Sequence, residues 1–87
     1  MRLHAEGLAI RVRTDPDGRP QLFVHDGTPH RVATIEEVRE PRLEWWAITG
    51  EAHRIYYLVT TAEGMICEIY ENRGSEDGGW WLARVFD

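Results

Sequence analysis

The chain has 87 residues, fifteen of them acidic and ten basic, for a net charge of −5 with histidine neutral. That length makes one domain, close to the lower limit for folding without staples, and the single cysteine, Cys67, excludes an internal disulfide. The acidic balance argues against non-specific binding to a phosphate backbone, and no apolar run approaches the roughly 20 residues of a membrane span.

Stability must therefore come from packing large side chains. Four Trp, three Tyr and two Phe supply them, since each buried aromatic removes roughly 150–250 Å² from water. A lone cysteine fits a reducing, cytoplasmic setting, and the first six residues lack the apolar segment of a signal peptide. The charge is uneven. Residues 1–35 hold five Arg against four acids, and residues 36–87 hold five Arg against eleven. Every basic residue is Arg, which fits the codon usage of a GC-rich genome; it also fits a need for planar guanidinium groups in stacking or bidentate contacts.

In chain order, residues 1–7 are expected to be a loose lead-in to a single β domain spanning residues 1–87. Leu8-Ala9-Ile10-Arg11-Val12-Arg13 alternates, putting Leu8, Ile10 and Val12 on one face and Arg11 and Arg13 on the other. Asp15-Pro16-Asp17-Gly18-Arg19-Pro20 is turn chemistry, and Gln21 to His25 returns as a second strand. Asp26-Gly27 is a strong hairpin signal. Residues 31–40 fit either a helix, with Val32, Ile35 and Val38 at three-residue spacing, or a strand carrying a bulge. Val, Thr and Ile in the first half favour strand. Pro41 interrupts the pattern, and Leu43 to Ile48 follows as a short strand or packed loop.

Arg54 to Thr61 is apolar on both faces, as at the middle of a barrel or sandwich. Met65 to Glu71 and Trp80 to Phe86 then form a C-terminal hairpin around a polar loop. Five to seven short strands with no convincing long helix predict an all-β antiparallel meander, closed into a small SH3-like barrel or packed as a compact sandwich.

No catalytic set emerges, and a non-enzymatic domain without metal or cofactor is expected. His25 and His30 flank a tight turn, but a zinc site needs a third ligand, and no spacing nominates His53 or an acid. Cys67 sits in an apolar run with Glu68 as its nearest charge, which disfavours a thiolate, so it reads as core. Glu68 interrupts the same strand and is expected to form a structural ion pair with Arg84. The paired tryptophans are the best lead to a binding surface. In Trp45-Trp46 and in Trp80-Trp81, one indole can enter the core while its neighbour stays partly exposed beside Arg11, Arg13, Arg31 and Arg54. The bland alternative covers both indoles with a loop or a second subunit.

Several stretches together resemble a known family. They are Leu22-Phe23-Val24 with Asp26-Gly27, then His30-Arg31-Val32, then Glu44-Trp45-Trp46, then Arg54 to Val59. Most specific is Ile66-Cys67-Glu68-Ile69-Tyr70 followed by Trp80-Trp81-Leu82-Ala83-Arg84-Val85-Phe86-Asp87. Residues 8–87 are similar to a small bacterial domain of unknown function. That domain occurs free-standing and as the C-terminal segment of ImuB-type proteins, the inactive Y-family polymerase relatives of mutagenic DNA repair. Cys67 departs from the family pattern, where an aromatic is expected, and so does Glu71, where a basic residue is expected.

The resemblance implies a context of DNA-damage tolerance and translesion synthesis, and attachment to other proteins. The leading expectation is thus a protein-interaction module whose partner is a repair or polymerase component. A single-stranded nucleic-acid binder of small-barrel type is the first alternative, disfavoured by the acidic charge. A homodimeric structural protein is the second.

Overall fold

The structure, a computed structural model, describes residues 2–40, 54–73 and 79–86, with side chains from Leu8 onward in the first of these. It contains six strands: β1 (Arg2–Thr14), β2 (Pro20–His25), β3 (Thr28–Arg39), β4 (Arg54–Thr61), β5 (Ile66–Asn72) and β6 (Gly79–Phe86). All neighbours are antiparallel, and β1 pairs with both β2 and β6, closing the meander into a barrel. The barrel is the realised choice between barrel and sandwich, and closure removes the open edges that a small sheet would otherwise expose. Among the described residues no helix is long and apolar enough to cross a membrane.

The hairpin turns follow from local chemistry. Asp15 Oδ1 accepts from the backbone N–H of Asp17 and of Arg19, both at 2.9 Å, and Gly18 adopts φ +84°. Between β2 and β3 the chain reverses over two residues, Asp26 (φ 55°) and Gly27 (φ 75°), with His25 paired to Thr28. Two successive positive φ angles match the right-handed twist of the strands, which is why Asp-Gly serves here.

Inside the barrel, Phe23, Ile55, Tyr57, Val59, Cys67, Ile69, Leu82 and Val85 form one buried cluster. Ile10, Val12, Val32, Ile35, Met65 and Trp80 pack around it. The burial of β4 alternates strictly, with Ile55, Tyr57, Val59 and Thr61 buried and the residues between them half-buried. Its outer side is therefore also well covered, as the doubly apolar sequence required.

One sequence expectation changes, and one is resolved in the favoured direction. Residues 2–7, read as a loose lead-in, belong to β1, where Arg2 lies opposite Val85 and Leu3 opposite Arg84. Pairing with β6 holds Arg2 and Leu3, and the register then slips before it resumes at Leu8 opposite Leu82. Within the ambiguous segment 31–40, residues 31–39 are strand, as favoured, and the register slips between Val32 and Thr34 and again between Ile35 and Glu37. Each slip adds one residue, so Val32 and Ile35 pack on the core and Val38 pairs with the inward Tyr57, although Val38 itself is 48% exposed at the strand's end. Two bulges thus give a strand the three-residue spacing of a helix. Leu43 to Ile48, with Trp45 and Trp46, lies outside the described residues.

Candidate docking surface

The outer faces of β3 to β6 carry a continuous cross-strand row. Arg39 lies opposite Tyr56, Tyr56 opposite Tyr70, and Tyr70 opposite Trp81. A second row runs beside it from Glu37 to Leu58, Glu68 and Arg84. Directly opposed side chains in such a sheet are close enough to touch, and here they do. The Tyr56 and Tyr70 rings are 5.1 Å apart and the Arg39 guanidinium sits 5.0 Å from the Tyr56 centroid, while that of Arg54, diagonal to Tyr70, sits 4.7 Å from the Tyr70 centroid. Arg54 also donates to the Tyr56 hydroxyl at 3.3 Å.

Glu68 is the anchor of this layer. It is on the outer face, yet its side chain is only 8% exposed. Its two carboxylate oxygens are divided between two arginines: Arg39 donates to Oε2 at 2.7 Å, and Arg84 donates to Oε1 at 3.1 Å. A buried carboxylate without such partners would be costly. The hydrogen bond to Glu68 raises the Arg39 pKa above its ordinary value, while burial raises that of the Tyr70 hydroxyl. Arg84 in turn lies 5.5 Å from the Phe86 ring centroid.

The position of Arg84 depends on a local irregularity. The β5–β6 register slips so that Glu68 pairs with Arg84 while Ile69 pairs with Leu82, leaving Ala83 as the extra residue. Strict alternation would put Leu82 and Arg84 on the same face. The bulge keeps Leu82 and Val85 in the core and turns Arg84 outward to meet Glu68.

The residues nominated from sequence do not form one surface. Trp80 points inward, with its ring 5.4 Å from that of Tyr57. Trp81 points outward and is half-buried at the end of the row. Arg54 belongs with Trp81, but Arg11, Arg13 and Arg31 are exposed on the β1–β2–β3 side of the barrel. Composition and single-strand alternation nominate these residues but say nothing about which outer faces share a side. Arg39, Tyr56, Tyr70 and Phe86 were missed. Their signal was present in Arg54-Ile55-Tyr56 and Glu68-Ile69-Tyr70, where polar and aromatic residues alternate with core residues.

Elsewhere, the turn between β2 and β3 brings the His25 and His30 rings to 6.3 Å, and His30 also stacks on Phe23 at 5.2 Å. His30 Nδ1 donates to Glu63 at 2.6 Å, and this bond lowers the Glu63 pKa below its ordinary value. No three His, Cys, Asp or Glu side chains converge as a metal site among the described residues; His53 lies outside them. Cys67 is fully buried, and burial, with a smaller contribution from the charge of Glu63, pushes its thiol up to about 12.

A family model described as a domain of unknown function (DUF6504) matches residues 3–87. The chain belongs to that family. No curated protein matches it, and no solved structure does.

Proposed function

We propose that this member of the family is a non-enzymatic interaction module that docks a partner protein on the outer face of β3 to β6. The ordered Arg39–Tyr56–Tyr70–Trp81 row carries this reading, with Tyr70, only 4% exposed beneath Arg54, as its support and the other three offered to the partner. Trp, Tyr and Arg are the residues that dominate binding energy at protein interfaces. Arg39 is held by a buried carboxylate while 45% of its side chain stays exposed, so little conformational freedom remains to be lost on docking. With the sheet closed on itself, a partner meets side chains rather than a free strand edge.

The resemblance to the C-terminal segment of ImuB-type proteins suggests the setting: DNA-damage tolerance, with a component of the translesion machinery as partner. Single-stranded nucleic acid is the competing ligand, since aromatic rows also stack bases. Against it, the Tyr56 and Tyr70 rings are already occupied by Arg39 and Arg54. The −5 net charge opposes it as well.

The test is affinity capture from the native host with the wild-type chain, Tyr56→Ala and Trp81→Ala. The partner should be lost from both variants while their far-ultraviolet circular dichroism stays that of the folded barrel. Capture that survives both substitutions would remove this face as the docking surface. Saturable quenching of Trp fluorescence by an oligonucleotide at low salt would transfer the face to nucleic acid.

A further inference from the structure

The three arginines left over from the docking surface mark a second one. β1 from Leu8 onward, β2, and β3 as far as Thr34 contain no Asp or Glu at all, although the chain as a whole is acidic. Their outward residues are Ala9, Arg11, Arg13, Leu22, Val24, Pro29, Arg31 and Ala33, three guanidiniums among small and apolar side chains. Arg13, Leu22 and Arg31 form one cross-strand row. Neighbouring strands are about 4.8 Å apart, so the two arginines start about 10 Å apart with Leu22 between them. With Gln21 and Val32 they line a shallow depression of about 260 Å³.

Neither arginine makes an ion pair or side-chain hydrogen bond with the described residues. The contrast with Arg39 and Arg84, which share a buried carboxylate, is direct. The nearest turn acids are otherwise placed: Asp15 is engaged by its own turn, and Asp26 lines the neighbouring depression with Arg11.

We infer that the Arg13–Leu22–Arg31 row binds a carboxylate-bearing peptide segment, one in which Asp or Glu residues flank an apolar side chain. Guanidinium forks match carboxylates in bidentate geometry, and Leu22 offers the apolar contact between them. Among the described residues no aromatic side chain faces outward on this side, so they offer no platform for the base stacking that holds single-stranded nucleic acid. The site is independent of the β3–β6 face, on the other side of the barrel.

The probe is a fluorescein-labelled ten-residue peptide with Glu and Asp around a central Leu, followed by fluorescence anisotropy at 20 and 200 mM salt. Binding should be saturable at low salt, weaken as salt rises, and fall about tenfold with each of Arg13→Gln and Arg31→Gln. Both positions are exposed, so the variants should remain folded, and Trp81→Ala should bind the peptide as the wild type does. The inference is overturned if the peptide does not bind at 20 mM salt, or if it binds the double variant undiminished. It is also overturned if an oligothymidine of ten nucleotides displaces it more readily than an unlabelled copy.

Discussion

Cys67 and Glu68 are neighbours in the chain, both are buried, and they face opposite ways. Cys67 fills core space, and its thiol at about 12 carries almost no thiolate at neutral pH. A thiol reagent at pH 8 should therefore leave the native protein unlabelled and react fully once urea unfolds it; rapid native labelling would show that the core opens at β5. Glu68 has a different task, which is to neutralise and position Arg39 and Arg84. Glu68→Gln should cost about 1–2 kcal/mol in urea denaturation. That is less than the 3–5 kcal/mol typical of a fully buried pair, because both guanidiniums keep partial access to water. The Glu68–Arg84 pairing could be nominated from sequence because an acid in an apolar strand demands a partner. Arg39 could not, because it sits beyond two bulges whose positions no residue announces.

At the scale of elements, turns were the most legible feature and registers the least. Asp26-Gly27 names its turn because only a few residues accept positive φ at both positions. Nothing stands within 4 Å of a Cβ built at Gly27, so Gly27→Ala meets backbone strain alone and should cost about 1–2 kcal/mol by urea denaturation. A neutral result would mean that the turn relaxes to another type. Bulges are the opposite case. Val32, Ile35 and Val38 read as a helix or as an interrupted strand with equal ease, because inserting one residue twice converts a period of two into a period of three. The Ala83 bulge likewise hides which face Arg84 occupies. Residues 2–7, Arg-Leu-His-Ala-Glu-Gly, alternate only weakly in hydrophobicity because Leu3 is their one large apolar residue, yet backbone pairing to β6 holds Arg2 and Leu3 in the sheet.

For the whole molecule, the closed order from β1 to β6 decides what composition could not. It sorts six of the ten arginines into two groups on different sides of the barrel, Arg39, Arg54 and Arg84 against Arg11, Arg13 and Arg31. One group is stacked on tyrosines and clamped by Glu68, and the other is open to solvent around Leu22. An all-β antiparallel meander was readable from strand count, turn spacing and aromatic content, with barrel and sandwich both open until the pairing of β1 with β6 closed it. The grouping was not, because a strand pattern defines its own two faces and leaves their neighbours undetermined.

Docking of a partner protein on the β3–β6 outer face, as proposed, can be read residue by residue by titrating the ¹⁵N-labelled chain with the captured partner and following backbone amide shifts. The shifts should cluster at Arg39, Arg54 to Leu58, Glu68 to Asn72 and Trp81 to Phe86, and leave Arg11 to Arg13 and Leu22 to Val24 unmoved. Shifts confined to β1 and β2, with Tyr56, Tyr70 and Trp81 unchanged, would contradict it.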